Sequence, residues 1–132
     1  MPTNSELARQ WYQEVWVAGG EATVMALMAE DIDGFMEGAD VHGRNAFLTE
    51  RTRLLTLFPD LAIVADDVIE HGDKVAVRWH VSATHTGPGA GLEPTGRRVS
   101  FRGLTWLEFR AGKIVRGWDS WNLGGLLQQL AG

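Results

Sequence analysis

The spacing of apolar residues changes period at Pro59. Before it, apolar side chains recur every three or four positions; after it, they alternate. A chain patterned in this way is limited to helices first and a strand meander second, which is an α+β fold.

In the first half, Asn4 or Ser5 is placed to cap a helix running to about Val17, with Leu7, Ala8, Trp11, Val15 and Trp16 on one side. Gly19-Gly20 ends it. A shorter helix carrying Val24, Leu27 and Met28 follows, then a weak strand from Ile32 to Glu37 that includes Phe35. A third helix begins near Gly43 to Asn45 and sets Phe47, Leu48, Arg51, Leu54, Leu55 and Phe58 at helical spacing until Pro59 stops it.

In the second half, strands are expected over Leu61–Ile69, Val75–His85, Arg98–Phe109 and Ile114–Trp121. Thr86 to Gly96 is a long Gly- and Pro-rich loop, read either as a lid or as a plain connection. Asn122 caps a last short helix. There is no repeat, low-complexity tract or linker, so residues 1–132 read as a single domain with a strongly curved antiparallel sheet packed on the N-terminal helices.

Strand parity picks out the residues that face those helices. Phe101, Thr105, Leu107 and Phe109 share one side of their strand, and Gly117, Asp119 and Trp121 share one side of the last. Reading Gly112 as the bulge of a three-residue hairpin puts these two sets on one sheet face and sets Gly103 opposite Asp119. Val75, Val77, Trp79, Val81, Ala83 and His85 join that face, with His85 at its rim.

The inner face is thus apolar apart from one acid. Asp119, held there, has its pKa raised by desolvation and is suited to general base and acid work. The competing reading is that it caps the final helix or pairs with an arginine. Trp11, Phe35, Trp79, Phe101, Thr105, Leu107 and Trp121 are the expected pocket lining, and Thr105 or His85 the polar groups beside the acid. His42, just before the third helix, is either at the pocket mouth or a solvated loop histidine. Arg102, Leu104, Trp106, Arg116 and Trp118 fall on the other sheet face, a mixture that fits a homodimer contact.

Composition removes other chemistries. There is no cysteine, hence no disulfide or thiolate. His80 and His85 face opposite ways, and no HxxxH or HExxH spacing occurs, so no metal site is expected. Gly87-Pro88-Gly89-Ala90-Gly91 lacks the ending of a phosphate loop, and Ser82 and Ser120 lie on the face away from Asp119. A net charge of −5 argues against nucleic acid, and no apolar run is long enough for a membrane span. With a polar start and no leader pattern, a cytoplasmic location is expected. The expected partner is a hydrophobic small molecule, polycyclic ones included, with no cofactor.

Several short segments, taken in order, resemble the SnoaL-like polyketide cyclases of the nuclear transport factor 2-like superfamily. They are Phe58-Pro59-Asp60-Leu61, Val77-Arg78-Trp79, Thr84-His85-Thr86-Gly87, Gly96-Arg97-Arg98-Val99, Phe101-Arg102-Gly103, Gly112-Lys113-Ile114-Val115, Trp118-Asp119 and Leu126-Leu127-Gln128-Gln129-Leu130. The resemblance implies a cone-shaped α+β barrel, usually dimeric through its sheet. It also implies ring closure by an intramolecular aldol reaction without metal or cofactor, with the family's catalytic Asp falling on Asp119. The histidine that often accompanies it one strand back falls on Thr105, a departure from the pattern. Hydroxylation, isomerisation, epoxide hydrolysis and non-catalytic ligand binding remain alternatives. Hydrolysis asks for a second acid or an arginine beside Asp119, and the inner face as read supplies neither.

Overall fold

The computed structural model covers Met1–Gly132. Four helices, α1 (Asn4–Glu14), α2 (Glu21–Leu27), α3 (Arg44–Leu57) and α4 (Leu123–Ala131), accompany six strands. The strands are β1 (Met28–Met36), β2 (Ala39–His42), β3 (Ala62–His71), β4 (Lys74–Thr84), β5 (Arg98–Arg110) and β6 (Lys113–Trp121). They form one curved, unclosed sheet in the order β2-β1-β6-β5-β4-β3. No helix is long and apolar enough to cross a membrane.

Local chemistry sets the helix ends. The cap of α1 is Thr3, one residue earlier than expected: its side chain accepts from the Glu6 backbone N–H while the Glu6 carboxylate accepts from the Thr3 N–H. At the other end, Arg51 of α3 is fully buried and donates to the carbonyls of Val15 and Val17, both at 2.6 Å, and to Glu21 at 3.1 Å. Carbonyls that a helix end leaves unpaired thus tie α1 to α3, and the buried cation is matched by hydrogen bonds. Asn122 caps α4 by accepting from the Gly125 N–H at 2.8 Å.

The sheet differs from the expected meander in one pairing. β1 runs parallel to β6, because the chain leaves the β1–β2 hairpin through α3 and enters the sheet again at the opposite edge. The weak strand foreseen at Ile32 begins at Met28 instead, and β2, which takes in His42, was not foreseen.

The β5–β6 hairpin carries a second correction. Ala111 and Gly112 have φ of 50° and 78°, a two-residue turn with both central residues left-handed. The extra residue lies in β6 rather than in the turn, since Phe109 pairs with Ile114 and Glu108 with Arg116, leaving Val115 unpaired. Turn and bulge each shift the register by one, so the inner face keeps its residues. The partners change, however. Thr105, not Gly103, lies opposite Asp119, and Gly103 lies opposite Trp121.

Buried side chains from α1, α2 and α3 meet the inner sheet face in a single core that includes Trp11, Val15, Val24, Phe47, Val77 and Ile114. The outer face leaves Leu104, Trp106 and Trp118 exposed at 58%, 44% and 42%, large values for such residues.

Candidate active site

Between α1, α3 and the inner face the packing opens into two lobes, of about 460 and 380 Å³ counting their open mouths. Tyr12, Trp16, Met36, Thr105 and Asp119 line both, so the lobes meet at the acid. Trp11 and Leu107 line the first lobe; Trp79, Phe101 and Trp121 line the second. Phe35, expected in the first lobe, only borders it, because it pairs with Trp118 of the outer face and is exposed while Ile32 and Met36 point inward. Close backbone approach makes the room. A side chain at Gly34 would strike the Gly117 carbonyl, and one at Gly103 would strike the Trp79 ring, which lies over that glycine. Phe101 stacks on Trp121 with ring centroids 4.8 Å apart.

The register determines the polar geometry. Thr105 Oγ1 donates to Asp119 Oδ1 at 2.6 Å, while Trp79 Nε1 donates to Thr105 Oγ1 at 2.8 Å. An indole nitrogen only donates, so the hydroxyl must accept from Trp79 and has its proton for the carboxylate. Oδ1 is thereby occupied, and Oδ2 is the oxygen left for another partner. Asp119 is half-buried, open toward the lobes it lines and otherwise enclosed by protein. Burial pushes its pKa up to about 6, against the lowering effect of the Thr105 hydrogen bond and with a further rise from the Glu37 charge.

Two neighbours, Tyr12 and Glu37, were not singled out in the sequence. Tyr12, the chain's one tyrosine, sets its hydroxyl near Thr105 and Asp119. Burial, and then the Asp119 charge, hold it well above the ordinary phenol range, so it stays a neutral donor. Tyr12 of α1 and Trp16, two residues past its end, face the lobes together; the helical spacing sets Trp16 inward with Trp11 and Val15 but passes over Tyr12. Glu37, at the end of β1, accepts from the Trp121 N–H at 3.1 Å and is the second carboxylate that the inner face was read as lacking. It comes from the end of the strand foreseen over Ile32–Glu37, whose parallel pairing with β6 brings it to Trp121.

Both candidate histidines lie elsewhere. His85 shares the inner side but sits beyond the end of β4, six residues from Trp79, roughly 20 Å along an extended chain. It is fully buried against Phe58, and its Nδ1 lies 3.0 Å from Thr95 Oγ1 and accepts from the Thr95 N–H at 3.2 Å. It pins the 86–97 loop and does not reach the lobes. His42 points outward from β2 and bonds Asp33 on the surface, because Val41 takes the inward position. The loop itself lies over a groove between α3 and α4, through Ala90 and Leu92, and not over Asp119.

Three solved structures share this fold over nearly the whole chain. A candidate hydroxylase, AclR from Streptomyces galilaeus, is 30% identical with a TM-score of 0.83, covering 95% of this chain and 78% of that one. IdmH from Streptomyces antibioticus, a candidate polyketide cyclase, is 26% identical with a TM-score of 0.82, covering 97% and 98%. A candidate SnoaL-like polyketide cyclase from Jannaschia sp. CCS1 is 19% identical with a TM-score of 0.88, covering 99% and 96%. No curated protein matches significantly. The family model described as SnoaL-like polyketide cyclase matches residues 6–130, and the chain belongs to that family.

Proposed function

We propose that the protein is an enzyme that moves a proton at a carbon next to a carbonyl and closes a ring by an intramolecular aldol reaction. The observation that carries this is the Asp119 carboxyl, with a pKa near 6, one oxygen fixed by Thr105 and the residue lining both apolar lobes. At pH 7 such a group is about nine-tenths ionised, yet it parts with a proton far more readily than a phenol does.

Asp119 Oδ2 takes the α-proton, and the C–H electrons pass into the enolate. Tyr12, kept neutral beside it, donates to the enolate oxygen, where negative charge develops. The enolate carbon bonds to a second carbonyl carbon of the same molecule. The alkoxide so formed takes the proton back from Asp119, and the carboxylate is restored. Trp79, Phe101 and Trp121 fold the substrate so that the two carbons meet.

The likeness to AclR favours one further reading, hydroxylation, in which the same carbanion adds dioxygen to give a hydroperoxide and an external two-electron donor such as a thiol reduces it to the alcohol and water; oxygen uptake coupled to turnover separates the two. We also propose that a second copy of the chain covers Leu104, Trp106 and Trp118. Arg102, Arg116 and Glu108 lie among them, giving both charge signs for a two-fold contact.

Exchange of the α-protons of 2-hexanone in D2O, followed by NMR, tests the acid. The native protein should accelerate exchange and Asp119→Asn should leave only the background rate. Tyr12→Phe should lose about a hundredfold. Equal exchange by native protein and Asp119→Asn removes the proposed role.

A further inference from the structure

Beyond the two lobes lies a third space, an open groove of about 700 Å³ between α3, α4 and the 86–97 loop. Leu57 of α3, Leu123 and Leu127 of α4, and Leu92 of the loop make it apolar. Met36, Leu54 and Trp121 line both this groove and the second lobe, so these three side chains form the partition between them. Met36 belongs to the core but is unbranched, and Leu54 and Trp121 are half-buried against it, so the partition parts by rotation of these side chains.

We propose that this groove is an outer subsite of the Asp119 pocket and takes an uncharged alkyl or aryl extension of the carbonyl substrate, threaded past Met36, Leu54 and Trp121. The inference rests on the proposed role of Asp119 for where the carbonyl sits. Three observations commit the groove to this occupant. It continues the lobes through shared side chains. Its volume of about 700 Å³ adds to the 460 and 380 Å³ of the lobes and lengthens the space open to a chain. Its rim rejects anions, since Arg53 is already held by Glu50 at 2.8 and 2.9 Å and Glu37 stands without a cation. A carboxylate or phosphate tail would meet net negative charge there, whereas a hydrocarbon meets leucines. The 86–97 loop, pinned at its base by His85, supplies one bank of the groove.

Binding of the ketones from 2-hexanone to 2-undecanone, read by tryptophan fluorescence, tests the subsite. Affinity should keep rising along the series, up to about fourfold per methylene. Leu127→Asp and Leu92→Asp change exposed positions on opposite banks and leave the fold intact. Each should weaken 2-undecanone at least tenfold and leave 2-hexanone within twofold. Undecanoate should bind at least tenfold more weakly than 2-undecanone.

A chain-length gain that stops once the lobes are full, or that survives both variants, overturns the subsite. So does a change in sedimenting mass in Leu127→Asp with ketone affinity untouched, which makes the groove a protein contact. If no ketone binds the native protein, the subsite and the pocket reading fall together. If ketones behave as described but Asp119→Asn still exchanges α-protons, only the role of Asp119 falls.

Discussion

Replacing Asp119 with Asn should make the protein more stable at neutral pH. The carboxyl ionises at 3.8 when free of the fold and at about 6 inside it. Below 3.8 both folded and unfolded chains carry the proton, and the group contributes no penalty. Between the two values the unfolded chain sheds its proton and the folded one does not, so stability falls as pH rises. The slope is 1.36 kcal/mol per pH unit. Across the interval from 3.8 to about 6, the loss reaches about 3 kcal/mol and stays constant above it. Asn keeps an oxygen for the Thr105 hydroxyl and cannot ionise, so it escapes this loss. Urea unfolding at pH 4.5, 6, 7.5 and 8.5 measures the gap between the two proteins. It should be small at pH 4.5, near 3 kcal/mol at pH 7.5, and worth on the order of 10 °C in Tm. The slope of stability against urea should be unchanged. A gap that does not vary with pH, or a variant less stable than the native protein at pH 7.5, refutes the reasoning.

Thr105→Val removes a hydrogen bond to a charged group and leaves the Trp79 N–H without an acceptor. The Asp119 titration should move up by about 1 to 2 pH units, and stability should fall by about 1 to 3 kcal/mol, by NMR and by urea unfolding. Glu37→Gln removes a neighbouring negative charge while keeping an acceptor for the Trp121 N–H, so the same titration should move down. Trp106→Glu on the outer face should convert a dimer to a monomer in sedimentation while exchange of 2-hexanone persists.

The inner face was legible because alternation along β4, β5 and β6 is strict, and it named Trp79, Phe101, Thr105, Leu107, Asp119 and Trp121 together. The partner of Asp119 was not. Hairpin length and bulge position change the register without changing the face, and nothing in Arg110-Ala111-Gly112-Lys113 places the extra residue at Val115. Thr105, a departure from the family pattern by resemblance, is by register also the group that holds the acid. The parallel β1–β6 pairing was also hidden, because it joins segments some eighty residues apart, and with it went Glu37 and the outward setting of His42. His85 misled because parity reports the side of a sheet and not the distance along it.

The central claim is measured most directly by the pH titration of the Asp119 carboxyl carbon by NMR in the native protein. A midpoint near 6, moving upward in Thr105→Val, is the result expected. A midpoint near 3.8, unmoved by that substitution, would mean that water reaches the carboxylate freely, and the proton chemistry assigned to it would have no physical basis.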